Sequence, residues 1–352
     1  MYFGKNSNGD NMKHDIDLQN FNVRSDLAID CIDNTFNLKG INKRVKSIND
    51  IIITDVKLDK DNALNKKQGF YITIEFKDVT DTDNYNNVYK VVIDELLSLL
   101  DKMHIKDNNT CLIVGLGNQN STPDSLGPLV IDNVLVTNHI YELGELGKGY
   151  RRVSAIAPGV SGQTGIETTD IIKSIVDKIK PDFLIAIDSL ASQSIDRVNK
   201  TIQMTNTGIH PGSGIGNSRK EVSFDTIGIP VLAIGIPTVV DASVIVSDTI
   251  NYMYKHYAFI KEYQKLPQSK LTFNNVNYLN KDIRINNEDK QKLLGLIGNL
   301  NEEEVRELIY EVLSPIGYNL MVTPKEIDFV IVKLSELITQ SLNSVLHKKN
   351  RA

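Results

Sequence analysis

Cysteine is nearly absent: Cys31 and Cys111 are the only two in 352 residues. Two thiols so far apart in the chain give neither a disulfide framework nor zinc-ligand spacing, and they fit a reducing compartment. Long apolar runs are also missing. None approaches the length that spans a bilayer, and the opening stretch MYFGKNSNGDNMKHD is polar, without the apolar centre of a secretory signal. Cationic excess is missing too. The formal net charge is -5, so no basic field argues for direct contact with nucleic acid. The expectation is a cytoplasmic protein with neither a membrane nor a nucleic-acid partner.

The common hydrolase and nucleotide signatures are absent as well. No G-x-S-x-G occurs: Ser161 has Gly159 before it but Gln163 after it. None of the six histidines is followed by Glu, so there is no H-E-x-x-H. Neither cysteine has an evident histidine partner. The P-loop pattern is missing. The stretch GLGNQNSTPDSLGPLV, which starts at Gly115, meets the dinucleotide fingerprint only at Gly115 and Gly117, because its third position is Asn120. Pro123 and Asp124 then stand where a pyrophosphate needs free N–H groups and positive potential. This disfavours a nucleotide-dependent oxidoreductase built on the Gly115 loop, and no cofactor or metal is expected.

What the chain does carry is a repeated order of strand, loop and helix. GFYITIEF (69–76) alternates as a strand, and VYKVVIDELLSLLDKM has helical periodicity. The preceding segment 39–67 is charged and Asn-rich, with isolated apolar runs such as Asp50-Ile51-Ile52-Ile53. From Thr110 onward, TCLIVGLG reads as a strand and SLGPLVIDNVLVTNHIYEL as one helix. RRVSAIAP is a strand and IETTDIIKSIVDKIK a helix. PDFLIAIDS and KTIQMTN are strands, and the glycine-rich loop GIHPGSGIGN follows. IPVLAIGIP is an apolar strand before the helix VVDASVIVSDTINYMYKHY. Two further helical stretches close the chain, the second entered through Thr323 as N-cap and Pro324. This pattern predicts an α/β fold. It is a three-layer sandwich with a mostly parallel sheet, helices on both faces and C-terminal helices, with the α/β core at about 108–258 and the helical part at about 285–348.

In such sheets chemistry gathers beyond the carboxyl ends of the strands. Those ends carry Asn118 and Asp124 after the first core strand, Asp188 after FLIAI, His210 inside GIHPG, and Asp241 after the last strand. Asp124 can be read as a helix cap, and so can Asp241, which fits that role best. Asp188 is harder to dismiss, because a carboxylate that ends so apolar a run is costly to bury without partners. Two acids on neighbouring parallel strands can face each other and share one proton. Such a pair can act as general base on water and general acid on a leaving amine. His210 is a secondary candidate, since a histidine in a glycine loop also serves as an ordinary hydrogen-bonding residue.

Six blocks together resemble the spore germination proteases: GLGN with TPDSLGP, SAIAPGVSGQTGIET, PDFLIAIDSLAS, GIHPGSGIGN with RKE, GIPVLAIGIPTVVDA and NLMVTPKEID. The resemblance covers nearly the whole chain. It implies an aspartic-type endopeptidase whose acids fall on Asp124 and Asp188; the strand-end reading adds Asn118, His210 and Asp241 as supporting candidates. It also implies a zymogen that removes residues 1–26 by self-cleavage between Asp26 and Leu27, leaving 27–352 as one catalytic domain. The implied substrates are α/β-type small acid-soluble spore proteins, cut after an acid and before a bulky apolar residue and alanine. A homotetramer in the forespore or spore core is implied too. The core is also similar to the hydrogenase maturation proteases, through Gly117, Asn118, Asp124, Gly127 and Asp188. Their nickel is not carried over, because no matching histidine is evident. A binding module for spore proteins, with both acids as caps only, is the non-catalytic alternative.

Overall fold

The computed structural model describes residues 27–33, 39–64, 66–211, 220–263, 285–313 and 320–350. A short helix, α1 (Ala28–Asp33), precedes a hairpin of β1 (Ile41–Ile48) and β2 (Ile51–Leu58). Asn49 and Asp50 join the two strands, both at positive φ (47° and 65°). That is the backbone of a two-residue hairpin turn matched to the strands' twist. The charged, Asn-rich segment is therefore a β-hairpin, and the Asn-Asp pair ahead of the isoleucines is its signal. β1 forms the sheet edge, where Lys43, Arg44 and Lys46 discourage pairing with a further strand. β3 (Gly69–Glu75) pairs with β2, and α2 (Thr82–Lys102) follows, capped by the Asp81 carboxylate on Asn84 N–H.

Beyond Thr110 come β4 (Cys111–Gly115), α3 (Leu126–Asn133), α4 (Asn138–Glu142), β5 (Val153–Ile156), α5 (Ser161–Thr164), α6 (Thr168–Ile179) and β6 (Phe183–Ser192). β7 (Thr201–Thr205), α7 (Phe224–Ile227), β8 (Val231–Asp241) and α8 (Ala242–Tyr263) complete the core. The C-terminal part holds α9 (Asn287–Leu294), α10 (Glu302–Leu313), β9 (Met321–Val322) and α11 (Ile327–Leu346).

One sheet runs in the order β1-β2-β3-β7-β8-β6-β4-β5, with β9 added on β8. The parallel part is β8-β6-β4-β5; the remaining pairings are antiparallel. The α/β expectation holds, with the sheet mixed. The reason lies in the link at 193–200, which is too short for the crossover that a parallel return to β7 would need. Side chains alternate across β6. Ile185 and Ile187 join the core under α2, α3 and α11, while Leu184 and Ala186 face α6 and α7. Helices thus cover both faces, and each fully buried isoleucine contributes roughly 1.5–3 kcal/mol.

Two local expectations need correction. The helix expected over 125–143 is broken after Asn133. Thr137 N–H donates to Val153 O at 2.9 Å and its hydroxyl to Arg151 O at 2.5 Å, so the chain is drawn onto β5 instead. Thr323 does not cap the last helix. Its hydroxyl donates to Thr238 O at 2.8 Å, and α11 begins at Ile327.

Candidate active site

β4 leaves the sheet through a loop that folds onto itself. Leu116 N–H donates to Ile187 O at 2.8 Å, which extends the strand pairing by one residue. Asn118 N–H then donates to Asp124 O at 2.9 Å, and the Asn118 side-chain oxygen accepts from Asn120 N–H (3.0 Å) and Gln163 Nε2 (2.6 Å). Thr122–Asp124 form a single 3-10 turn. The Thr238 hydroxyl, on β8, donates to Pro123 O at 2.6 Å and ties this turn to the sheet. The glycines serve this packing. A Cβ at Gly115 would strike the Gly127 carbonyl, and one at Gly127 would strike the Leu116 backbone. Strand and helix therefore meet backbone to backbone.

Asp124 is not the cap of α3. Ser125 occupies that position, and its hydroxyl turns back to Thr122 O at 2.8 Å. Asp124 is half-buried, on a turn packed against β6 and β8. Asp188 is 4 % exposed, and its Oδ1 accepts from Ser189 N–H at 2.9 Å. Gly115 pairs with Ile187 across the parallel β4–β6 ladder, so Asp188 lies one residue beyond the point where the Asp124 loop departs. β6 runs on to Ser192, so Asp188 does not end its strand as expected; it stands inside β6, level with the end of β4 where the Asp124 loop begins.

Asp188 belongs to a row that crosses three strands, opposite Gly235 on β8, which in turn lies opposite Gln203 on β7. Gly235 and Gln203 of this row line a cavity of about 390 Å³ together with Lys66, Lys67, Tyr71, Thr205, His210 and Glu221, among others; Asp188 is not part of its lining. His210 Nε2 meets Glu221 Oε2 at 2.9 Å, and Lys67 bridges Glu221 (2.5 Å) and Asp225 (2.6 Å). Burial acts to raise the Glu221 carboxyl, but hydrogen bonds from Lys67 and Ser223 and the charges of Lys67 and His210 outweigh it and hold it below the usual range. His210 is therefore a wall residue tethered to Glu221. Asp241 is remote: it lies six residues beyond Gly235 on β8, roughly 20 Å along the strand. It caps α8, accepting from Ser243 N–H at 2.7 Å. Leu27 is fully buried beside Leu190 and Ile209, while Asp26 lies outside the described residues. Among the described residues, no group of three or more His, Cys, Asp or Glu could hold a metal ion.

The sequence reading missed Gln203, Leu190 and Gly235. The available signal was the lone glycine inside VLAIGIP, since a glycine within an apolar strand marks a close approach.

The chain matches the germination protease family over residues 17–351. A germination protease from Oceanobacillus iheyensis is 46% identical over 350 residues, covering 94% of this chain and 95% of that one. Another, from Priestia megaterium, is 45% identical over 357 residues, covering 96% of each chain. Among solved structures, a NiFe hydrogenase maturation protease from Thermococcus kodakarensis is 16% identical. It covers 37% of this chain and 74% of its own, with a TM-score of 0.24.

Proposed function

This chain belongs to the germination protease family, and from that premise we propose that it is an endopeptidase of spore germination in which Asp124 and Asp188 activate water. The observation that supports the reading is the β4–β6 pairing, which sets Asp188 level with the end of β4, where the Asp124 loop departs. Two carboxylates at close range cannot both ionise, so one keeps a proton. The ionised partner takes a proton from water as it attacks the peptide carbonyl, and the protonated one delivers a proton to the departing amine. Asn118 is a candidate for steadying the oxyanion. Its side-chain oxygen is occupied within the loop, which leaves its Nδ2 as the donor.

The substrates in this reading are small acid-soluble spore proteins of the α/β type, in a forespore or spore-core setting, and the working form is a homotetramer. The chain is a zymogen that cuts itself between Asp26 and Leu27. Burial of Leu27 close to the Asp188 row supports this placement of the cut.

Asp124→Asn and Asp188→Asn test the pair. Each is expected to lower kcat on a spore-protein substrate by about 10²–10⁴-fold, the usual worth of general acid–base catalysis. Self-processing should fail in parallel. Full activity in either variant removes that residue from the mechanism. Chelators and serine- or thiol-directed reagents should leave the wild type active. Turnover itself excludes a binding-only role, and titration with NAD and ATP should give no binding.

A further inference from the structure

β8 is irregular just past the level of Asp188, which lies opposite Gly235. Its register with β6 sets Leu190 opposite Pro237 and then Ala191 opposite Val239, so Thr238 is an extra residue without a partner on β6. A bulge of this kind redirects the side chain it inserts, and such bulges recur beside active sites. Pro237, which has no N–H to give to a ladder, stands directly before it. On the other edge of β8, β7 pairs as far as Gly235 and β9 joins at Val240, so the bulge falls between the two. Thr238 is 1 % exposed, and its hydroxyl donates to Pro123 O at 2.6 Å. Its own carbonyl accepts from the Thr323 hydroxyl at 2.8 Å, and Thr323 directly follows β9. The C-terminal segment therefore holds the bulge, and the bulge holds the Asp124 turn.

Asp124 is fixed on both sides of its α carbon. The carbonyl before it, on Pro123, is the one that Thr238 grips, and its own carbonyl accepts from Asn118 N–H at 2.9 Å. Its N–H donates to Ser121 O at 2.8 Å. Its carboxylate lies over Gly117, where a Cβ would strike the Asp124 carbonyl and press on Oδ1. Three of these restraints lie within the loop itself, and the tie from Thr238 is the one anchored in the sheet. A single 3-10 turn has poor hydrogen-bond geometry of its own, so ties from outside decide where it sits relative to the strands.

We propose that Thr238 is a positioning residue for the reaction. Through the Pro123 carbonyl it sets where the Asp124 carboxylate stands relative to Asp188 on the adjoining β6, and Thr323 steadies it in that role. The proposal rests on the acid-pair reading of the site. A displacement of about 1 Å in a reacting group costs about 10²-fold in rate. In this role Thr238 touches no reacting atom. Its loss acts on kcat and on the coupling between the acids, and leaves substrate binding nearly unchanged.

Thr238→Val keeps the shape of the side chain and removes the donor. It is expected to lower kcat on a spore-protein substrate by about 10–10²-fold with KM within about twofold, and Thr238→Ser, which restores the hydroxyl, should recover most of that loss. The pH profile of kcat should change with it. Two coupled acids titrate in steps set apart by their proximity, so a looser Asp124 brings the two apparent pKa values closer together. Thr323→Val leaves the Thr238 hydroxyl in place and should lower kcat about threefold, the worth of one modest hydrogen bond. It reads the same coupling where Thr238→Val does not fold. In an Asp124→Asn background, Thr238→Val should add little further loss, because the group it positions is already gone. An equal loss in both backgrounds, or full activity with an unshifted pH profile in folded Thr238→Val, would overturn the proposal and leave the acid pair standing. Full activity in Asp124→Asn would remove the acid pair itself, and Thr238 would then have nothing to position.

Discussion

Ser125, Asp124 and Asp241 stand near helix starts and Asp188 inside β6, and neighbours decide the role of each. Asp241 caps α8 because its carboxylate meets Ser243 N–H. Asp124 does not cap α3, since the helix starts one residue later and Ser125 takes that place. A shift of one residue is below what local sequence signals resolve, so the acids were legible as candidates and their roles were not. Glycine positions allow a sharper test. Gly127→Ala forces a methyl group onto the Leu116 backbone, which cannot swing aside as a side chain can. It should destabilise the protein by about 1–3 kcal/mol or more. Gly162, in α5, has open space around it. Gly162→Ala should be neutral or stabilise by up to about 1 kcal/mol, since alanine loses less freedom in a helix. Urea unfolding of the two variants measures both values. Equal effects would mean that the close approach of strand and helix does not govern this loop.

At the scale of elements, α11 organises one face of the sheet. By length and hydropathy it resembles a membrane-crossing helix. Its Leu334, Leu337, Ile338 and Leu342 are instead fully buried in the core shared with α2 and α3. Leu334→Ala should cost about 2–5 kcal/mol, the range for a leucine deleted from a packed core, read as a lower urea midpoint at unchanged slope. A loss under 1 kcal/mol would show that this helix packs loosely. Elements of this kind were legible because both their burial and their period are strong. β4 and the leading halves of β6 and β8 (FLIAI and VLAIGI) are apolar, as strands covered on two faces must be. β1 and β2 escaped notice because an edge hairpin exposes most of β1 and needs no apolar alternation there. The mixed character of the sheet was hidden as well. Strand direction depends on link length and pairing partner, which no single strand's composition records.

For the whole molecule, acid sensitivity should arise in two stages. His347 follows α11 and is fully buried, joining the C-terminal helix to the far edge of the sheet. Its Nδ1 accepts from Arg151 N–H and its Nε2 meets Leu135 O, each at 3.3 Å. Burial lowers its pKa below the ordinary value of 6.5, and the Arg151 charge adds to this against the pull of the Leu135 carbonyl. The folded chain then binds fewer protons at this site than the unfolded chain. The contribution of neutral His347 is full above pH 6.5 and declines as pH falls from there toward the lowered folded value. Glu221 and Asp182 have carboxyls held below their ordinary values of 4.5 and 3.8. For each, burial acts in the raising direction, but the paired cation and hydrogen bonds on Glu221, and the Thr110 and Asn109 hydrogen bonds with the Arg151 charge on Asp182, outweigh it. Their stabilisation persists above those values and is lost only in stronger acid. Thermal unfolding followed from pH 8 to pH 3 should therefore show a first fall in Tm beginning near 6.5 and a second below about 4.5. His347→Gln keeps a side chain able to meet both backbone groups but cannot take up a proton. It should flatten the first fall and leave the second in place. If the first fall persists unchanged in that variant, another group drives it, and the buried histidine does not couple the C-terminal helix to pH.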